Sequence, residues 1–237
     1  MTLEHSLVGL PAGLAEDLAA ASLALARRLH AGGTLWCASP SWPHHAQHVA
    51  VEFVHPVVVG KPALAAVALP SHDLVATARA NVRSGDVVLV IAPARDRLAR
   101  ELARRAAVWG ATTVWIGAGA RPDAGAADHV LWLPEDERAE HDGRFILLYH
   151  LLWELAHVCL EHGAALQPAP ACDGPVCITC SDEGRLAEVL RASGSTALVR
   201  TPEGEEEVDL SLVGAAEPAD LLVVHAGMAI TRLQASA

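Results

Sequence analysis

The sequence predicts two domains, an α/β domain built on a doubly wound parallel sheet and a small C-terminal β-barrel. The first is indicated by continuous apolar runs, such as residues 86–91, that alternate with segments of helix length, because strands covered by helices on both faces are apolar throughout. The barrel is indicated by short alternating runs and regular turns after residue 184. Residues 167–171 carry two prolines and no apolar period, which is typical of a linker. We therefore expect domains at residues 1–165 and 176–237, joined by a linker at 166–175.

The first domain is predicted to alternate five helices with five strands. Leu14, Leu18, Leu25 and Leu29 share one face of the first helix, which Gly32 and its neighbour close. The expected helices cover residues 11–30, 44–55, 73–82, 95–109 and 143–162, and the expected strands cover residues 34–38, 63–69, 86–91, 112–116 and 128–133.

The second domain is predicted to contain five short strands. Turns are expected at residues 193–195 and 202–204, where glycine lies beside serine or proline. The expected strands cover residues 185–190, 196–200, 206–213, 219–225 and 228–233.

Composition excludes several classes of function. The formal net charge of −11 leaves no basic stripe to neutralise nucleic-acid phosphates, and the 52% hydrophobic content is unlike that of a disordered chain. No apolar run reaches the roughly 18 residues that a membrane span needs, and the first residues lack the basic start of a signal peptide. Five cysteines, an odd number, favour reduced thiols or metal ligands over disulfides. We therefore expect a cytoplasmic protein that binds neither nucleic acid nor membrane.

Residues 35–52 carry a specific resemblance. They read Leu-Trp-Cys-Ala-Ser-Pro-Ser-Trp-Pro-His-His-Ala-Gln-His-Val-Ala-Val-Glu, which resembles the strand, loop and helix of the sugar isomerase (SIS) fold and, within it, the phosphoheptose isomerases. Residues 86–91 are similar to the strand before that family's second phosphate loop, and His150 lies on a helix in the place of its metal-binding helix. The resemblance covers about residues 10–162 and implies a five-stranded sheet that self-associates into an oligomer.

Three residues of this domain are candidate zinc ligands. His48 and Glu52 lie four residues apart, so one helix face presents an imidazole and a carboxylate together. With His150 they would form an N/N/O zinc site. In the resembled isomerases the matching residues bind the metal and move protons in aldose–ketose exchange, which would make Glu52 and His150 catalytic. The alternative is that the two histidines are partly exposed residues of a scaffold.

Both phosphate loops depart from the resembled family. The first reads Ala-Ser-Pro-Ser-Trp-Pro at residues 38–43, where prolines remove amide donors and Trp42 takes up space. The second reads Ala-Pro-Ala-Arg-Asp-Arg at residues 92–97, and Asp142 stands in the region of an expected glutamine. We therefore expect that phosphosugar isomerisation has been lost, although Arg95 and Arg97 could hold an anion in another way.

The C-terminal region carries a second resemblance. Residues 208–214 read Val-Asp-Leu-Ser-Leu-Val-Gly, and residues 224–230 read Val-His-Ala-Gly-Met-Ala-Ile. The pair resembles the HypC-type (HypC/HybG/HupF) hydrogenase maturation chaperones over about residues 177–233. These are small OB-like barrels that carry the Fe(CN)2CO group of [NiFe] hydrogenase with a HypD-type scaffold protein and deliver it to the large-subunit precursor. The resemblance implies the same cargo and the same partners here.

The resemblance directs attention to the Cys-x-x-Cys pair at the start of this domain. The family's essential cysteine follows the initiator methionine, and by spacing to Val208 that place is best matched by Cys180, then by Cys177. Here the cysteine is interior, so no α-amino group can assist. A soft thiolate suits iron that bears cyanide and carbonyl, and His225 is the candidate second ligand or orienting group.

Two other interpretations of the pair remain open. It could be half of a zinc site with Cys172 as a third ligand, or a redox switch. Cys37 and Cys159 lie in apolar segments and are expected to be unreactive core thiols. His44, His45, His141 and His157 are expected to have no functional role.

Overall fold

The structure, a computed structural model, describes residues 13–133, 143–166 and 184–233. Five parallel strands form one sheet in the order β2-β1-β3-β4-β5. This confirms the predicted five-stranded parallel sheet. The strands are β1 Leu35–Ala38, β2 Ala66–Ala68, β3 Val87–Ile91, β4 Thr112–Ala118 and β5 His129–Leu133.

Helices cover both faces of the sheet, as the continuous apolar strands predicted. In β3, Val87 and Leu89 pack into the core beneath α1, α2 and α5, while Val88 and Val90 face the core beneath α3 and α4. Every residue of β3 is therefore buried, on whichever face of the sheet its side chain lies. The helices are α1 Leu14–His30, α2 Pro43–Val54, α3 Leu74–Asn81, α4 Arg97–Val108 and α5 Arg144–Glu161, followed by a 3-10 turn at Gly163–Leu166.

The described C-terminal residues form a closed five-stranded barrel in the order β10-β8-β7-β6-β9. Its interior is lined by alternate residues of each strand, such as Ala187 and Val189 of β6 and Leu222 and Val224 of β9. The predicted small barrel is thus confirmed. Its strands are β6 Arg185–Ser193, β7 Thr196–Thr201, β8 Gly204–Asp209, β9 Leu221–His225 and β10 Met228–Leu233.

Two predicted strands are longer than the observed ones by several residues: the strand expected at residues 63–69 is only Ala66–Ala68, and β8 ends early. The pattern at residues 206–213 predicted a strand to Val213, but β8 ends at Asp209. The Asp209 carboxylate accepts a hydrogen bond from the Ser211 amide at 2.6 Å, and the amides of Val213 and Gly214 bond to the Leu210 carbonyl. An aspartate that binds the backbone two residues ahead favours a turn over a strand.

The barrel contacts the α/β domain through a buried carboxylate. Glu188 of β6 is fully buried, and it accepts hydrogen bonds from Arg105 Nη1 at 2.7 Å and from Trp109 Nε1 at 3.1 Å. Arg79 Nη2 lies 3.6 Å from the same carboxylate, and Arg105 also donates to the Ala219 carbonyl at 3.0 Å. Strand β6 is therefore fixed to helix α4.

None of the described helices is both long enough and apolar enough to cross a membrane.

Candidate metal centre and the cysteine end of the barrel

The three predicted zinc ligands meet in space. His48 and Glu52 occupy successive turns of α2, with His48 Nε2 3.3 Å from Glu52 Oε1. His150 of α5 brings its Nε2 to 3.5 Å from His48 Nε2 and 3.8 Å from Glu52 Oε1. Among the described residues this is the one group of three His, Cys, Asp or Glu side chains arranged to share an ion.

These separations fit a tetrahedral zinc ion. Zinc bonds of about 2.0–2.1 Å at tetrahedral angles place neighbouring ligand atoms about 3.3–3.4 Å apart. The observed separations of 3.3, 3.5 and 3.8 Å require movements of a few tenths of an ångström. His150 is 45% exposed at its side chain and His48 37%, so the fourth position would face solvent, as in catalytic zinc sites.

A buried tyrosine lies within hydrogen-bonding distance of one of the candidate ligands. Tyr149, 1% exposed, places its hydroxyl 2.8 Å from His48 Nδ1 and 3.5 Å from His45 Nδ1. Because the second nitrogen of a histidine ligand normally donates a hydrogen bond, Tyr149 can fix the ring of His48 with Nε2 turned to the ion. Burial, and secondarily the charge of Glu52, raises the pKa of Tyr149. It therefore stays a neutral hydroxyl at physiological pH.

His45, which was expected to have no functional role, belongs to the same cluster. It is 1% exposed, and its Nε2 has no hydrogen-bond partner in the described structure. Burial lowers the pKa of His45 to about 4, helped by the neighbouring His44 and His48. Burial also lowers the pKa of His150 and outweighs the opposing charge of Glu52. Both rings are therefore neutral at pH 7, which is the form in which imidazole binds metals.

The two loops beside the centre are bonded to each other. Ser39 donates to the Ile91 carbonyl at 2.8 Å, and Ser41 donates to the Asp96 carboxylate at 2.7 Å. Trp42 packs on Phe145 with ring centroids 5.4 Å apart. Both serine hydroxyls thus already donate to acceptors within the protein, and the expected loss of phosphate binding stays a prediction. Asp142, in the region of the expected glutamine, lies outside the described residues.

The two C-terminal motifs meet at one end of the barrel. The Asp209 amide donates to the Gly227 carbonyl at 2.9 Å, and Asp209 pairs with Met228. His225 ends β9, and the Ala226-Gly227 turn with φ of 47° and 78° reverses the chain into β10. His225 is half-buried at this edge.

Strand β6 begins at the same end. Arg185 pairs with Val224, so continuing this antiparallel register by one residue brings Gly184 level with His225. A Cβ at Gly184 would lie 2.7 Å from Val223 Cγ1, so glycine allows this close approach to β9. The predicted ligands Cys177 and Cys180, and also Cys172, lie outside the described residues.

Of the two described cysteines, Cys37 has the environment expected of an unreactive core thiol. Cys37 is fully buried in β1, and burial strongly raises its pKa. Cys159 is half-buried on α5. A buried thiol with a raised pKa is a poor nucleophile and a poor ligand.

Sequence reasoning missed Tyr149, His45 and Glu188. One signal existed, because Tyr149 is the only tyrosine of the chain and stands beside His150. His45 could not be separated by pattern from the other histidines of the same loop and helix. Glu188 stands between two apolar barrel positions, a pattern that normally marks a solvent-facing residue.

Comparison with known proteins agrees with both resemblances. Residues 185–237 match the model of the HupF/HypC family. A phosphoheptose isomerase structure from Francisella tularensis matches with 21% identity and a TM-score of 0.52, covering 65% of this chain and 90% of that one. A second, from Neisseria gonorrhoeae, matches with 21% identity and a TM-score of 0.50, covering 60% and 87%. No curated protein matches the chain. The chain therefore joins an N-terminal domain with the fold of the phosphoheptose isomerases to a C-terminal barrel whose residues 185–237 match the model of the HupF/HypC family.

Proposed function

We propose that this protein is a [NiFe] hydrogenase maturation chaperone. Its C-terminal domain would carry the Fe(CN)2CO group on a cysteine, together with a HypD-type scaffold protein, and deliver it to the large-subunit precursor. The observation that carries this proposal is the HupF/HypC match over residues 185–237, whose two sequence motifs meet at one end of the barrel. We expect this delivery to take place in the cytoplasm.

The length of the chain supports Cys180 as the carrier. Cys180 lies four Cα-to-Cα steps before Gly184, and an extended chain spans at most about 3.6 Å per step, or about 14 Å here. Gly184 stands level with His225. Cys180 is therefore tethered within reach of the His225 end, and Cys177, three residues further back, has a longer tether.

The chemistry of the cargo also favours this end. A thiolate is the protein ligand that a low-spin iron with cyanide and carbonyl ligands prefers, and a single thiolate bond leaves the group transferable. His225 would be the second ligand or would orient the thiolate. Because Cys180 is interior in the sequence, the chain itself has no α-amino group beside the sulfur, so His225 is the stronger candidate for assistance.

The N-terminal domain would then act as a scaffold. Its described residues form a five-stranded sheet, and Glu188 of the barrel binds Arg105 of α4. A self-associating sheet domain would present several barrels on one particle. Exposed apolar side chains after α2, with Val57 80% and Val59 fully exposed, are suited to contact another subunit.

Co-purification tests this proposal. The full chain is expressed anaerobically with a HypD-type scaffold protein, and the complex is isolated through a tag on the chain. We expect Cys180→Ala to abolish iron retention in the complex and Cys172→Ala, a control in the same segment, to retain it. Iron retention that is unchanged in Cys180→Ala and in Cys177→Ala would remove the cysteine role.

A second function is favoured by one observation, the convergence of His48, Glu52 and His150. In this alternative the N-terminal domain is a zinc-dependent isomerase of a small sugar-like substrate, fused to a maturation domain. Zinc held there would polarise the substrate carbonyl. Tyr149 would fix His48 as a ligand, while Glu52 and His150 would complete the ligand set and, as in the resembled isomerases, move a proton between the neighbouring carbons of the substrate.

Metal analysis separates the two functions. The isomerase requires about one zinc per chain that is lost in His48→Ala, and turnover of a substrate such as sedoheptulose 7-phosphate. If zinc is bound but no substrate turns over, the metal centre is structural. If neither zinc nor turnover is found, the isomerase function is excluded.

A further inference from the structure

A separate cavity of about 310 Å³ opens on the α/β domain. It is bounded by α4, by the segment that follows β3 and by the loop that joins β4 to β5, and it shares no lining residue with the metal centre. Four arginines line it, Arg95, Arg100, Arg104 and Arg121. Asp123 is the only acidic side chain among the described residues that line it.

The charge of this cavity is unusual for the chain. The protein carries a net charge of −11 with 17 basic side chains, yet four of those side chains surround this one space. Arg100 and Arg104 stand one turn apart on α4, an arrangement in which like charges repel. Neither makes an ion pair or a side-chain hydrogen bond within the described part of the chain, whereas the adjacent Arg105 binds Glu101 and Glu188.

The position and size suit a small ligand. The cavity lies where β3 and β4 end, and in parallel sheets ligands bind outside the carboxyl ends of the strands. Its volume is at the lower end of small-molecule sites. Trp115 is fully buried, with its indole N–H donating to the Ala92 carbonyl at 2.9 Å. It therefore contributes an apolar wall rather than a stacking platform, so charge would dominate recognition.

We propose that this cavity binds a small molecule that bears a diphosphate or an equivalent pair of phosphate groups. Guanidinium forks match phosphate oxygens with two hydrogen bonds each, and arginines of α4 and of the β4–β5 loop line the same cavity. Arg121 of that loop also pairs with Asp17 at 3.2 Å, so Arg100 and Arg104 would contribute most of the binding. A ligand with two or more negative charges would offset the repulsion between Arg100 and Arg104. The site is independent of the hydrogenase maturation function.

Isothermal titration calorimetry of the full chain tests this assignment. The probes are inorganic pyrophosphate, ADP and, as a ligand without phosphate, adenosine. We expect pyrophosphate and ADP to bind, adenosine not to bind, and binding to weaken as salt is raised. Equal affinities for the two phosphate ligands would identify the diphosphate as the recognised group, and tighter binding of ADP would identify a nucleotide.

The double variant Arg100→Gln/Arg104→Gln is expected to weaken binding at least about 100-fold, since each lost charged fork contributes about tenfold. The control Arg83→Gln/Arg191→Gln removes the same charge from exposed positions that do not line the cavity and is expected to bind within about threefold of the parent. Circular dichroism checks that both variants are folded. Absence of pyrophosphate and ADP binding, equal loss in both variants, or tighter binding of a hexaglutamate peptide than of pyrophosphate would each overturn the proposal.

Discussion

The contact between the two domains is centred on one buried carboxylate, Glu188, and removing this carboxylate tests the contact directly. Glu188 is fully buried, and it holds Arg105 at 2.7 Å and the Trp109 indole at 3.1 Å. Glu188→Ala would leave a buried indole N–H without its acceptor and would take a carboxylate from Arg105, which is only 15% exposed. Both losses act on the folded state, because water satisfies these groups in the unfolded chain.

The expected cost follows from the remaining partners. Removing one member of a buried ion pair typically costs about 3–5 kcal/mol. Arg105 keeps Glu101 and the Ala219 carbonyl, so we expect the lower end, about 3 kcal/mol. Glu188→Gln keeps the shape and one oxygen acceptor and should cost less, about 1–2 kcal/mol.

Urea unfolding followed by tryptophan fluorescence measures this cost, because all six tryptophans belong to the α/β domain and Trp109 lies at the contact. The matched control is Glu206→Ala in the same barrel, which removes a partly exposed ion pair with Arg185 at 2.9 Å. Such a pair contributes at most about 1 kcal/mol. A Glu188→Ala variant no less stable than Glu206→Ala would refute the inference that this carboxylate fixes the domains together.

Four further predictions concern the metal centre, pH and assembly. Tyr149→Phe should weaken zinc binding about 10–100-fold through loss of the bond to His48, measured by competition with a chelator; an unchanged affinity would contradict the support role. Glu52→Gln should lower zinc affinity by at least about tenfold because it removes the anionic ligand, and equal affinity would exclude Glu52 as a ligand. His45 has a pKa of about 4 in the folded chain, below its unfolded value, so the free energy of unfolding should fall as the pH drops from about 6.5 towards 4. In denaturation experiments His45→Gln should flatten this part of the dependence of stability on pH. Identical pH dependences in the parent and the variant would contradict a neutral buried ring. Analytical ultracentrifugation should show that the parent chain is an oligomer and that Val59→Glu weakens its association. A monomeric parent chain would exclude the proposed self-association.

Most of the fold could be predicted from the sequence because burial on one or both faces of a sheet determines the hydrophobic pattern of its strands. Strand β3 is apolar at every position since Leu89 and Val90 enter different cores, and the barrel strands alternate since only one side faces inward. The predicted end of β8 was wrong because the hydrogen bond of the Asp209 side chain, rather than the hydrophobic pattern, determines where this strand ends.

The candidate site was predictable only in part. The spacing of His48 and Glu52 places both on one face of α2, whatever the tertiary structure. His150 was assigned through a family resemblance, and only the packing of α5 against α2 brings its ring to 3.5 Å from His48. Glu188 depends on contact between domains, which no periodicity within one strand can encode.

Infrared spectroscopy of the anaerobic complex with a HypD-type scaffold protein tests the central proposal most directly. We predict cyanide and carbonyl stretching bands in the parent complex, unchanged bands in Cys172→Ala, and altered or absent bands in Cys180→Ala. Bands that are the same in the parent, in Cys180→Ala and in Cys177→Ala, or no bands in any complex, would contradict the account of the barrel as a carrier of the iron group.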